Sequence, residues 1–389
     1  MATSGPCQTI EPPAPGLRAR AAAVVLVGLG PFMLLVMPEF VSTLGRTHAF
    51  TARELGYVAS AELSGLTLAS IVAAALVGRR PVGALAAGGI GLMIAANVGC
   101  LFTLTPALFI LLRIAAGAGG GTLVALGTRL IAATAKPDRL YGLAIALQVG
   151  ASAIGLYALP LATRAGGLAG CLIFLVCVAA ALLPVLPCLP RTLASAASGP
   201  TRGAAPSRAA IQVLLSTLIF SAGIGGAWTY VAEMGTAAGL KAEFVGEALA
   251  GAMAVSLSGA ILASWLDVRL GRAVPLLFGT AGICVGAVLL SGRFGPAAFA
   301  GGVLAFNLFW SFVGPYQLGT LAQRDTSGFF VTLLPGFQGM GFATGPAIAS
   351  EVLVRWGYAG VRGMALACLA SSCLLILPQS LRRGSRHAP

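Results

Sequence analysis

The sequence predicts an all-α membrane protein of twelve transmembrane helices, built as two pseudo-symmetric six-helix bundles with both termini cytoplasmic. Three observations predict it. Hydrophobic residues make up 58% of the 389 and charged residues 9%, against about 25% charged residues in a soluble domain. The apolar residues come in long blocks, and roughly 20 residues of helix cross a bilayer. Lys and Arg gather in alternate loops between those blocks.

Lipid offers the backbone no hydrogen-bond partners, so only helices and closed barrels span it. The alternating ten-residue segments of a barrel are absent. Fifty-three glycines suit close helix packing in lipid. The net charge of +13 resides in short loops, so no nucleic-acid partner is expected. Eight cysteines (Cys7, Cys100, Cys171, Cys177, Cys188, Cys284, Cys368, Cys373) fall almost wholly in apolar segments, with no CxxC and only two histidines. They read as small core residues, and neither a metal site nor a cofactor is expected. Residues 1–17 lack the basic-then-apolar order of a cleavable signal, so the first apolar block reads as a retained helix.

In order, the spans are 21–44, 55–77, 82–103, 107–133, 142–162, 168–189, 211–233, 244–266, 274–290, 297–318, 329–353 and 361–377. With the N-terminus inside, sixteen of the 24 Lys and Arg lie on the cytoplasmic side and seven outside, with Arg113 within a span. That bias sets the orientation. The longest polar connector, 190–208, is rich in Pro, Ser, Ala and Gly and reads as a flexible linker. The expected organisation is a tail 1–20, a bundle 21–189, the linker 190–208, a bundle 209–380 and a tail 381–389.

An internal repeat supports the division. At an offset of 194, Glu39 aligns with Glu233, Gly65 with Gly259, Ala69-Ser70 with Ala263-Ser264 and Pro81 with Pro275. At an offset of 190, Gln148 aligns with Gln338 and Gly155 with Gly345. Parallel six-helix repeats place a substrate site near midplane between them. The third, sixth, ninth and twelfth spans lack strong polar groups except Asn97, and read as lipid-facing. The remaining polar spans are expected to face a cavity or one another.

Arg113 opens a Gly-rich run through Gly117, Gly119, Gly120 and Gly121. The loop after the second span holds Gly78-Arg79-Arg80, without an Asp. Its second-half counterpart is fuller, with Asp267, Arg269, Gly271 and Arg272. The eleventh span carries Gly341, Gly345 and Pro346. These features resemble, in part, the motifs of the major facilitator superfamily, over the whole chain at the level of architecture. The resemblance implies a monomeric secondary transporter in a bacterial inner membrane. It also implies a cytoplasmic gate from Arg79, Arg80, Asp267, Arg269 and Arg272. The Gly-Pro pattern is similar to the family's antiporter motif, which the family places in the fifth span.

Depth singles out the intramembrane charges. At 1.5 Å per residue, Arg113 lies roughly 10 Å in from Pro106, and Glu62 roughly 12 Å in from Glu54. Both are entered from outside, so they are expected to meet, with protonation of Glu62 breaking the pair. Glu39 and Glu233 sit at equivalent repeat positions near outer ends, suited to a proton, a cation or an outer gate. Glu247 and Glu351 read as interfacial carboxylates. A substrate wall is expected from Trp228, Tyr230, Asn307, Trp310, Tyr316, Gln317, Gln148 and Gln338. Amides and aromatics with few fixed charges suit an amphipathic or weakly cationic solute. The expected partners are therefore a small-molecule solute, protons and the bilayer. Proton-coupled efflux is the first reading, and uptake of a small metabolite the alternative. A membrane enzyme would need clustered His, Asp or Cys at membrane depth, which the sequence lacks. A sensor or scaffold would need a larger soluble domain than these loops allow.

Overall fold

The computed structural model describes residues 16–47, 50–76, 79–103, 105–134, 137–191, 208–266, 269–291, 295–325 and 329–381. Gly78, Lys136, Asp267, Arg293, most of the 190–208 connector and both chain ends lie outside the described residues.

Among the described residues the secondary structure is helical, without a β-strand. The chain runs through α1 (Leu17–Leu29), α2 (Phe32–Gly45), α3 (Ala52–Leu76), α4 (Val82–Leu101), α5 (Pro106–Ala132) and α6 (Pro137–Ala180). After the connector come α7 (Arg208–Ala237), α8 (Ala242–Leu266), α9 (Ala273–Leu289), α10 (Pro296–Arg324) and α11 (Phe329–Leu381). Among the described residues nine helical stretches are long and apolar enough to cross a membrane, and Ala273–Leu289 is a shorter apolar helix. The chain is a multi-pass membrane protein. The first span is interrupted at Gly30-Pro31, yet α1 and α2 together form one stretch, Leu17–Gly45.

Two stretches are too long for a single crossing. Arg139–Cys188 has 50 residues and Phe330–Leu381 has 52; a straight helix of 50 residues would span about 75 Å, against about 30 Å of hydrocarbon. Each turns at a glycine in the left-handed region, Gly167 at φ 59° and Gly357 at φ 63°, where a side chain would clash. The two arms of α11 then lie against the same helix, α7. A methyl on Gly226 of α7 would meet the Gly345 carbonyl of the first arm and the Met364 side chain of the second.

Glycine sets how closely the helices approach. On α5, a Cβ at Gly117 or Gly121 would collide with the Glu62 or Leu66 carbonyl of α3. The contact is backbone against backbone, which no rotamer change relieves. Gly117→Leu is therefore expected to cost at least the ~1–3 kcal/mol of ordinary overpacking. A fall in the apparent melting temperature of the detergent-purified protein checks this.

The packing recurs along the chain. A Cβ on Gly65 of α3 would strike Ile114 and Ala118 of α5, and one on Gly259 of α8 would strike Leu308 and Phe312 of α10. Every residue of the second crossing is 194 beyond its counterpart. Gly56 of α3 meets Pro346 and Ser350 of α11, while Gly246 of α8 meets Leu156 and Pro160 of α6. The α6 and α11 residues correspond at 190, as do the turn glycines Gly167 and Gly357, while Gly56 and Gly246 stand one helical turn off the 194 register of α3 and α8. Leu68, Ile71 and Val72 of α3, Ile261 of α8, Val285 of α9 and Leu374 of α11 are exposed. The apolar exterior thus includes faces of α3 and α8, beyond the helices that sequence polarity marked as lipid-facing. A helix of mixed polarity can bury its polar stripe and still turn an apolar one outward.

Candidate functional site

Glu62 of α3 and Arg113 of α5 meet in the interior of the first six helices. Arg113 Nη1 donates to Glu62 Oε2 at 3.3 Å, with side-chain exposures of 0% and 3%. Nη2 donates to Asn97 Oδ1 of α4 at 2.9 Å, and Asn97 Nδ2 donates to the Met93 carbonyl at 2.8 Å. Asn97, the polar exception on the third span, is thereby fixed by both ends of its amide. Two rings close the site: the Arg113 guanidinium carbon lies 5.4 Å from the Phe40 centroid and 5.7 Å from that of Phe109. Among the described residues Arg113 Nε has no partner. A charge this deep persists only when paired and hydrogen-bonded, and here one carboxylate, one amide and two ring faces do that. Asn97, Phe40 and Phe109 were not among the sequence candidates. Phe109 lies one turn before Arg113, a spacing at which helical side chains share a face.

A second charged cluster lies at the end of the bundle marked by Arg46. Arg46 Nη2 donates to Glu39 Oε1 at 3.1 Å and to Thr43 Oγ1 at 3.0 Å. Thr43 Oγ1 lies 3.1 Å from Thr163 Oγ1. Glu39 is 1% exposed, and its Oε2 has no partner among the described residues. Glu233 comes to the same place from α7: a methyl on Gly45 would collide with its carboxylate, and the Arg46 charge reaches both carboxylates. Arg46 thus bonds one of the two repeat-related glutamates and lies within charge range of the other.

Bonds joining α1–α6 to α7–α11 gather at this end. Arg53 Nε lies 2.8 Å from Glu351 Oε1, Arg53 Nη2 donates to Oε2 at 2.9 Å, and the Tyr57 hydroxyl donates to Oε1 at 2.8 Å. Glu351 is therefore a bridging residue rather than a lone interfacial carboxylate. Arg164 pairs with Glu243 at 3.4 Å. Tyr230 donates to the Ala52 carbonyl at 3.0 Å, Trp228 Nε1 to the Leu35 carbonyl at 3.2 Å, and the Ala347 amide to Ser60 Oγ at 2.8 Å. At the opposite end, a cleft of about 770 Å³ opens between Leu17, Arg20 and Val24 of α1, Thr134 beyond α5, and Arg139 and Leu143 of α6.

The structure divides the expected substrate wall. Trp228 and Trp310 join Phe306 and Phe342 in one aromatic cluster from α7, α10 and α11, with centroids 5.7–6.5 Å apart. Asn307, Tyr316 and Gln317 are instead buried within the second set of helices. Asn307 Nδ2 bonds back to the Val303 carbonyl at 3.0 Å, and Tyr316 donates to the Ala263 carbonyl of α8 at 3.2 Å. Asn307 Oδ1 and Gln317 Oε1 have no partner among the described residues. Gln148 and Gln338 are half-buried on α6 and α11, helices that cross to the other set. Of the expected gate, Arg79 and Arg80 are exposed, Arg269 lies over the Trp265 ring at 5.6 Å, Arg272 lies beside Gly319, and Asp267 is outside the described residues. Among those residues no group of His, Cys, Asp and Glu could hold a metal ion.

No protein-family model and no curated protein matches the sequence. The fold does have solved counterparts. A nucleoside transporter, NupG, superposes with a TM-score of 0.75 at 11% identity, covering 93% of this chain and 98% of that one. The inward-open xylose transporter XylE from E. coli gives 0.73 at 14%, covering 95% and 97%. A bacterial homologue of the human lysosomal transporter Spinster, inward-facing and occupied, gives 0.70 at 13%, covering 94% and 97%.

Proposed function

We propose that this chain, whose fold is that of major facilitator superfamily transporters, is a proton-coupled secondary transporter that moves a small amphipathic solute by alternating access. In this reading α6 and α11 each cross twice, giving twelve crossings in two sets of six. The Arg139 end is cytoplasmic and the Arg46 end external in this reading, which the loop charges support.

The observation that carries the coupling is the Glu62–Arg113–Asn97 triad. It is a titratable carboxylate at membrane depth, and such groups mark proton and substrate pathways. Protonation of Glu62 removes the charge that holds Arg113, so the α3–α5 packing senses the proton. Inter-set bonds at the Arg46 end support a state closed outside; the cleft at the other end runs along α1 and α6 of the first set. The aromatic cluster around Trp310 supplies flat apolar surface for the solute.

The test uses proteoliposomes of the purified protein with an imposed pH gradient and a panel of amphipathic amines. Accumulation that collapses with a protonophore is expected. Solute flux indifferent to the protonophore would overturn the coupling. Efflux is the first reading; uptake of a small metabolite is the second, favoured by counterparts described as transporters of xylose and nucleosides. The gradient polarity that drives accumulation separates the two.

A further inference from the structure

The repeat has an asymmetry that the transport reading does not use. Offsets taken from the helix crossings map the Arg113 site onto the second set of helices. The α3–α5 and α8–α10 crossings correspond at 194, which puts Asn307 where Arg113 stands, Ser256 where Glu62 stands and Val303 where Phe109 stands. The Glu39–Glu233 pair carries the same offset onto α7, so Met234 takes the place of Phe40. On α9 the offset is 190: Gly89 packs on Gly119, and Gly279 on Val313. Ala287 and Leu290 then replace Asn97 and Cys100. Both rings, the ion pair and the amide are gone, and the replacements are smaller or apolar.

A cavity lies where those groups stood. Met234, Ala287, Leu290 and Val303 line an apolar pocket of about 20 Å³, with Trp228 and Phe306 at its inner wall. It shares Met234, Leu290 and Arg362 with a wider cleft of about 280 Å³ that also takes in Tyr358. Among the described residues, Arg362 is the one charged residue lining either space. It comes from the second arm of α11, where the α6 counterpart at an offset of 190 is Leu172. Its Nη1 donates to the Leu290 carbonyl at 3.0 Å, which fixes the guanidinium and leaves donors facing the cleft. Glu233 precedes Met234 in sequence, but its carboxylate lies against Gly45, toward α2.

We propose that this duplicated site has become a binding site for an amphipathic anion with a single apolar chain, its acidic head on Arg362 and its chain end against Trp228 and Phe306. The inner pocket admits the end of a chain, and the cleft admits the head. Charge complementarity selects the sign, because among the described residues the charged side chain lining the space is a cation held by a helix-end carbonyl, while the Glu233 charge reaches the cleft only at Tyr358. The site lies among α7, α9, α10 and α11 and backs onto the aromatic cluster at Trp228 and Phe306.

The experiment reads tryptophan quenching by 12-bromododecanoate in phosphatidylcholine nanodiscs. Trp265 and Trp356 are 65% and 63% exposed to the exterior and are replaced by Phe, so that probe dissolved in the lipid is silent. Saturable quenching is expected, competed by dodecanoate but not by dodecyltrimethylammonium or dodecylphosphocholine. Arg362→Gln is expected to raise the midpoint at least tenfold. Val303→Phe, which restores the first-half ring and fills the pocket, is expected to abolish quenching, and Trp228→Phe to leave only that of Trp310, 6.1 Å away. Equal competition by the cationic and anionic amphiphiles, or an unchanged midpoint in Arg362→Gln, would overturn the site. Dodecylphosphocholine competing as well as dodecanoate would overturn the anion preference. Since Arg362 lines the pocket mouth, its substitution keeps the test decisive even where Val303→Phe fails to fold.

Discussion

Arg113→Met is expected to destabilise the protein by about 3–5 kcal/mol, the cost of leaving one partner of a buried ion pair alone. Glu62 would then hold a carboxylate at 3% exposure without its cation, and Asn97 Oδ1 would lose its donor. Glu62→Gln is expected to cost less, because a neutral amide can still accept from Arg113 Nη1 in the same space. The Glu62→Gln, Arg113→Met double variant is expected to recover most of the loss, since replacing a whole buried pair is often close to neutral. Thermal melts of all three variants in detergent form a double-mutant cycle. Additive losses would sink the claim that the pair acts as one unit. Transport separates structure from coupling: Glu62→Gln is expected to retain solute counterflow yet lose accumulation driven by a pH gradient. Full gradient-driven accumulation by Glu62→Gln would remove Glu62 from the coupling path.

That site was partly legible in the sequence, and the reason is geometric. Depth follows from the rise of a helix, so Glu62 and Arg113 could be set at one level before any packing was known. Asn97 was equally within reach, because the turn between α4 and α5 is short and brings both residues to a similar depth. The facing direction of a helix is harder to read. Asn307, Trp310 and Gln317 fall near one face of α10 by their three- and seven-residue spacing. Spacing does not say whether a given residue points at the other set of helices or at α8. In the structure Trp310 points into the aromatic cluster, while Asn307 and Gln317 are sealed within their own set. The reversals at Gly167 and Gly357 were legible as gaps between apolar blocks, since hydrocarbon thickness limits the length of one crossing. The approach of a second glutamate to Arg46 was not, because Glu233 arrives from the other half of the chain.

The Arg46 guanidinium carries the second large effect, and its sign depends on pH. In the closed arrangement Arg46 pairs with Glu39 and its charge reaches Glu233, and Glu39 Oε2 already lacks a partner among the described residues. Arg46→Leu leaves two carboxylates facing a sealed end. They are accommodated by taking up protons or by opening the end to water. Low pH supplies the protons and favours closure; high pH favours opening. Arg46 is 37% exposed, so the full cost of an unpaired buried charge does not apply. We expect a shift of about 1.4 kcal/mol, or tenfold in the open fraction. Ser42, 2% exposed on the same helix, reports it. In a background free of other cysteines, Ser42→Cys is labelled from outside with a membrane-impermeant maleimide, in the presence and absence of Arg46→Leu. Normalising to the Ser42→Cys parent at each pH removes the thiol's own pH dependence. The ratio is expected to be about tenfold at pH 8 and to fall toward one as the pH drops to 5.5. A ratio that stays at one across the range would mean that the Arg53–Glu351–Tyr57 bridge and the Trp228 bond close this end without the glutamates. In that case neither Glu39 nor Glu233 belongs to the gate.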